Sequence, residues 1–178
     1  MTGKLYLLQE NQTISKYATA YFTLKSKKKL IFEDVRKFGR IYLYKNIGPI
    51  NKRHGPEPLD SDFTSKSLFK LIKSKKRNIK ALLLDQSMIA GLGNIYADES
   101  LWKSKIHPNS HSHKIPKKRI DNLYNNIRII LTKAIEQNGT TIIDFSVNGE
   151  SGKYANELKI YGRNNSKCIC CNQKIKKI

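Results

Sequence analysis

Acidic residues are scarce in this chain. Its 178 residues hold 14 Asp and Glu against 34 Lys and Arg, a formal net charge of +20. Such an imbalance works against basic partners and in favour of polyanions, either nucleic acid or an anionic surface. The competing reading is a soluble surface on which lysine is simply the default polar residue. Cysteine is nearly absent as well. The three present, Cys168, Cys170 and Cys171, fall within four consecutive positions. Neighbours this close cannot staple distant segments, so a disulfide framework is excluded. No apolar run approaches the roughly 20 residues of a membrane span, and no signal peptide opens the chain. No internal repeat is visible. A soluble protein facing nucleic acid, with no membrane partner, is the expectation.

What is present divides by pattern. Residues 4–8, 17–24, 30–33 and 40–44 are short runs rich in Tyr, Phe, Ile, Leu and Thr, broken by polar or lysine-rich turns. They predict an antiparallel meander that needs a second layer to cover it. Gly48-Pro49 and His54-Gly55-Pro56-Glu57-Pro58-Leu59 then mark a sharply turned connection. Helical spacing follows. Asp60, Ser61 and Asp62 offer capping chemistry ahead of Phe63, Leu68, Phe69 and Ile72, and further helices are predicted over 79–84 and 94–105. The clearest helix covers 116–137, where Ile120, Leu123, Tyr124, Ile127, Ile130, Leu131, Ala134 and Ile135 keep one face. Pro116 can start it and Asn138-Gly139 stops it. The fold class is therefore α+β. Residues 1–47 form a sheet region, 48–59 a linker, 60–153 a helical domain and 154–178 a small cysteine-bearing tail.

One segment carries the chemistry: Asp85-Gln86-Ser87-Met88-Ile89-Ala90-Gly91-Leu92-Gly93-Asn94-Ile95-Tyr96-Ala97-Asp98-Glu99-Ser100. Gly91 and Gly93 stand just before a helix start, where free amides and the positive end of the helix dipole favour an anion. A bare Gly-x-Gly-Asn is also what an ordinary helix connection looks like. Lys75, Lys76, Arg77 and Lys80 lie just upstream; alone, such a run is most often a solvated face.

The full string resembles the helix–two-turn–helix element of the formamidopyrimidine-DNA glycosylase and endonuclease VIII family. Other segments match that family in order: Asp34-Val35-Arg36-Lys37-Phe38-Gly39-Arg40, Gly55-Pro56-Glu57-Pro58-Leu59, Ile106-His107-Pro108, Gly139-Thr140-Thr141 and Tyr161-Gly162-Arg163. Cys168-Ile169-Cys170-Cys171 resembles the first half of the family's zinc finger, and Met1-Thr2-Gly3-Lys4-Leu5 an internal family segment. The resemblance implies a β-sandwich layer beside a helical domain, and excision of oxidised purines (8-oxoguanine, formamidopyrimidine) from duplex DNA, followed by cleavage at the abasic site. It also implies a monomer in the cytoplasm, associated with the nucleoid. Met1, Arg36 and Phe38 take the positions that enter the duplex where the damaged nucleotide has flipped out, offsetting part of the lost stacking. Asn94, with Gly91, Gly93 and Tyr96, takes the position of a phosphate clamp. Lys75, Lys80 and Arg163 are carried over as further DNA-binding residues, and residues 145–154 as a loop closing over the flipped base. The competing class is a non-catalytic, ribosome-associated binder built on the same helical element; the ordered motifs argue against it.

Three departures qualify these expectations. The family's N-terminal proline nucleophile, its neighbouring glutamate and an upstream lysine have no counterpart here, so no catalytic residue is retained and impaired catalysis is expected. The tail supplies Cys168 and Cys171 as half of a four-ligand zinc site, so stable zinc is not expected. Tyr17 replaces a DNA-contacting histidine. Together these suggest a chain truncated at both ends.

Overall fold

The computed structural model describes residues 3–140, 146–147 and 150–178. Three of the expected strands form: β1 (Lys4–Leu8), β2 (Ala18–Thr23) and β3 (Lys29–Glu33). Their order is β1-β3-β2, all antiparallel, so the sheet is not a simple meander. What departs from a meander is that β1 pairs with β3 and not with β2; β2 and β3 are themselves joined by the lysine-rich turn. Lys27, at φ 60°, donates its amide to the Leu24 carbonyl, and Leu24 donates to Lys28. That tight hairpin occupies one edge of β3 and leaves the other to β1.

The fourth expected strand, residues 40–44, is irregular. The chain leaves the sheet at a turn built on Asp34, and both edges of β3 are already taken. The cross-strand register places Leu5 opposite Phe32, Leu7 opposite Leu30, and Phe22 and Ala20 opposite the same pair from β2. Directly opposed residues point to the same side, so these six apolar side chains share one face. Leu5, Leu7 and Phe22 on it are exposed; Ile31 alone among the residues of β1–β3 is fully buried.

Past a short helix α1 (Gly48–Asn51), inside the predicted linker, the chain builds its main core. Helix α2 (Ser65–Lys73) starts later than the acidic cluster at 60–62 suggests. Thr64 is its cap, in a reciprocal capping box with Ser67. Helices α3 (Ile79–Leu83), α4 (Asn94–Lys103) and α5 (Lys117–Glu136) follow close to their expected bounds. Asn138 at φ 57° and Gly139 at φ 83° end α5. Leu68, Ile72, Ile79, Leu82, Leu83, Leu92, Ile120 and Leu123 are fully buried between these helices. At about 1.5–3 kcal/mol each, they make this half the stable part of the molecule.

The linker is fastened to that core. Gly55 donates to the Gln86 carbonyl and Ala90 to the Pro56 carbonyl. A Cβ on Gly55 would lie 2.4 Å from the Met88 carbonyl, so only glycine allows this approach. A two-residue pairing, β4 (Ser146–Val147) with β5 (Glu150–Ser151), precedes the tail, and Tyr154 packs against Ile130 and Ala134 of α5. Of the expected base-covering loop, residues 145–154, positions 145, 148 and 149 lie outside the described residues. No helix among the described residues is long and apolar enough to cross a membrane.

Candidate nucleic-acid interface

Two groups of candidate residues emerge. The first sits at the end of β3. The buried Asp34 carboxylate accepts the amides of Arg36 at 3.2 Å and Gly39 at 2.7 Å, and Lys37 at φ 55° turns the chain between them. A side-chain-anchored loop of this kind holds its tip outward. Phe38 is 74 % exposed there, and the Arg36 guanidinium lies 4.8 Å from its ring centre. An exposed aromatic ring with a cation stacked on it is suited to meeting nucleobases. Met1, the third residue of the expected trio, lies outside the described residues.

The second group is assembled around α4. Gly91 holds φ +75°, where an added side chain would be strained, and donates its amide to the Gln86 side-chain oxygen at 2.9 Å. Gly93, in extended conformation, is the N-cap of α4 and supplies no capping side chain. The first-turn amides of α4 therefore open onto exposed Gly91, Gly93 and Asn94, with no acidic residue in that turn to neutralise the dipole. The arrangement can hold an oxyanion such as a phosphate.

Lys80 reaches this helix from α3. Its ammonium contacts the Asp98 carboxylate at 2.8 Å, both side chains being largely covered. Lys75 remains exposed, while its carbonyl accepts from the Ser112 hydroxyl. Arg77, exposed in the same cluster, pairs with Asp85 at 2.9 Å. Hydrogen bonds from Ser87 and that guanidinium hold the Asp85 carboxyl below the usual carboxylate range. Tyr96 is turned inward. Its hydroxyl lies 3.1 Å from the Thr140 hydroxyl and its ring meets Tyr154 edge-on, so it supports the turn from behind.

A residue that the sequence reading passed over ties the tail to this helix. Glu99, 4 % exposed, accepts the amides of Lys159, Ile160 and Tyr161 at 2.9–3.1 Å. Gly162 and the half-buried Arg163 follow directly. Burial first, and then the Glu99 charge, push the Tyr154 phenol up to about 12. The structure thus gathers Lys80, Gly91, Gly93, Asn94, Tyr96 and the approach to Arg163 around α4. Arg36 and Phe38 form their own group on the sheet.

The tail folds back as a narrow hairpin, with Asn165 and Ser166 paired to Ile175 and Cys168 to Gln173. Cys168 Sγ accepts the Trp102 indole N–H at 3.5 Å, which, with the amides of Cys170 and Cys171, draws its thiol down to about 7. Zinc is the ion that the resemblance implies. Among the described residues no group of three or more His, Cys, Asp or Glu is placed to hold a metal. Two thiols do not fill the four-coordinate shell of a structural zinc, so these residues do not fit the ion by themselves.

Comparison with known proteins gives this geometry a family. Residues 54–146 match the formamidopyrimidine-DNA glycosylase H2TH domain. The whole chain aligns at 42% identity with a formamidopyrimidine-DNA glycosylase of Lactobacillus acidophilus and at 37% with one of Herpetosiphon aurantiacus, covering 66% of each. Among solved structures, a Lactococcus lactis Fpg bound to DNA with an abasic site superposes with TM-score 0.88 at 37% identity, over all of this chain and 67% of that one. MutM in complex with DNA containing carbocyclic 8-oxo-G superposes with TM-score 0.87 at 37% identity, over all of this chain and 66% of that one. The ribosome-associated alternative finds no support in these matches. The chain spans about two thirds of the length of the curated relatives it matches, 66%. It belongs to the formamidopyrimidine-DNA glycosylase family.

Proposed function

We propose that this chain is the DNA-gripping part of a base-excision repair glycosylase. The observation that carries the reading is the open N-terminus of α4, with Gly91, Gly93 and Asn94 exposed around amides that no side chain caps. A backbone phosphate seated there positions the protein without reading sequence, as an enzyme that inspects any stretch of DNA requires. The exposed Lys75 adds charge along the same strand, Lys80 stands beside it paired with Asp98, and Arg163 approaches from the tail. Phe38, with Arg36 stacked on it, takes the role of the wedge that fills the duplex beside a flipped nucleotide. Support for a duplex partner comes from the relatives whose solved complexes contain abasic and 8-oxo-G DNA.

The reaction this reading assigns to the full family polypeptide is excision of oxidised purines with cleavage at the resulting abasic site. Amine nucleophiles need a correctly placed, partly deprotonated nitrogen. The present 178 residues offer no proline–glutamate pair in that role, so for them alone we infer binding without excision. Fluorescence anisotropy with a duplex carrying an abasic analogue tests the grip. Asn94→Ala lowers affinity about tenfold, equally on damaged and undamaged duplex, as expected for a phosphate contact. An unchanged affinity would remove α4 from the interface.

A further inference from the structure

The α4 grip leaves a second basic surface unexplained. Between α2 and α5 lies an open cleft of about 660 Å³, lined by Lys66, Phe69 and Lys70 from one helix and Lys117, Asp121 and Tyr124 from the other. We propose that this cleft is a second nucleic-acid contact, which takes the sugar-phosphate backbone flanking the segment held at α4. The proposal rests on the reading of α4 as a DNA grip.

Helical spacing lines up the lysines of α2. Lys66, Lys70 and Lys73 stand at i, i+4 and i+7, on one stripe of α2 opposite the buried Leu68 and Ile72. The stripe runs toward Lys75, Lys76 and Arg77, the exposed cluster that leads into α3. From Lys66 to Lys73, the last residue of α2, the helical rise covers roughly 10 Å. At about 3.4 Å per nucleotide of one strand, that spans about three phosphates. Lysine-to-phosphate contacts need no more than such a track of charge.

The chemistry of the cleft agrees. Its one carboxylate, Asp121, is already met by the Ser65 hydroxyl and by Lys117 at 3.1 Å, and both hold it below the usual carboxylate range. The charge left over on Lys66 and Lys70 faces outward. Phe69 and Tyr124 are half-buried and form an apolar floor. Lys73 and Arg128 stand beside the two rings but are tied to backbone carbonyls, Lys73 to those of His113 and Ile115 and Arg128 to those of Pro58 and Asp60, so the free charge of the cleft is that of Lys66 and Lys70. A floor of rings beside two such lysines accepts a sugar or an unpaired base next to a phosphate. An acidic peptide would meet the same lysines, but a stripe that continues out of the cleft toward α3 fits a long polyanion better than a short one.

Anisotropy titrations with the full chain test this on two duplexes, one of about 10 base pairs around an abasic analogue and one extended to about 24, and read the affinity and its salt slope. The variant Lys66→Glu/Lys70→Glu/Lys117→Glu is compared with a charge-matched control, Lys25→Glu/Lys27→Glu/Lys45→Glu. The cleft variant should lose about tenfold more affinity on the long duplex than on the short one, with a salt slope on the long duplex flatter by about 2. The control should lose equally on both. Equal losses by the cleft variant on the two lengths, or no loss, would overturn the proposal and leave the cleft to an acidic partner. Should the unaltered chain bind neither duplex, or Asn94→Ala leave short-duplex affinity intact, the α4 reading itself fails, and this proposal with it.

Discussion

Glu99 does more for the site than its position suggests. It is a buried carboxylate some sixty residues from the amides it binds, and its hydrogen bonds from three amides, that of Lys159 shared between both oxygens, fix Lys159, Ile160 and Tyr161 against α4. Charged hydrogen bonds contribute about 1.5–3 kcal/mol each, and a buried donor left unpaired costs as much. Glu99→Gln removes the charge and turns an amide nitrogen toward one of the donors. Urea unfolding should show a loss of about 3 kcal/mol, with hydrogen exchange at residues 159–161 accelerated ahead of the rest; an unchanged midpoint would mean that the contact is dispensable. Tyr154 offers an independent reading of the same neighbourhood. Its phenol titrates near 12 in the folded chain against an ordinary 10. A raised acid keeps its proton in the native state after the unfolded state has lost it. Its contribution is therefore complete below pH 10 and disappears as pH rises from 10 to 12. Two pKa units correspond to on the order of 2–3 kcal/mol. Relative to the parent, Tyr154→Phe should show a shallower fall in stability across that window, and parallel curves would contradict the assigned cause.

Among the elements, α4 is the hub: Asn94 opens it, Tyr96 meets Thr140, Asp98 holds Lys80, Glu99 holds the tail, and Trp102 donates to Cys168. Much of this was legible in advance where the pattern is local. The α5 helix announces itself by spacing, whereas the Gly-x-Gly-Asn start of α4 alone reads equally as an ordinary helix connection and stood out only through the resemblance of the longer string around it. Contacts closed over long sequence distances were not legible. Glu99 looks like any helix-surface acid until residues 159–161 fold onto it, and Lys80 looks free until Asp98 is placed beside it. The true cap of α2, Thr64, lay behind three better-looking candidates at 60–62. Residues 40–44 alternate like a strand, but the chain leaves the sheet at the Asp34 turn and they join no sheet among the described residues. The cysteine hairpin leads to a prediction of its own. Two thiolates leave half of a zinc ion's shell to water, so metal analysis of this chain after mild chelation should find well under one zinc per molecule. Near-stoichiometric zinc would mean that a further residue completes the site.

On the scale of the whole molecule, stability and charge are unevenly distributed. The helical half buries a continuous apolar core, whereas Leu5, Leu7, Phe22 and Leu43 are exposed on or beside the sheet. An apolar face of this kind opens locally at lower free energy than a packed core. Native-state hydrogen exchange should therefore release β1–β3 first and α5 last; uniform protection in a monomer would show that the sheet face is covered. The +20 charge draws the molecule to polyanions but does not say which surface meets them. In our proposal that contact falls on the turn between α3 and α4. Backbone amide shifts recorded while an abasic-analogue duplex is titrated into the labelled chain test this most directly. The largest changes should fall on residues 91–96, with smaller ones at Lys75 and Lys80. Changes confined to the sheet or the cysteine hairpin, with residues 91–96 unmoved at saturation, would contradict it.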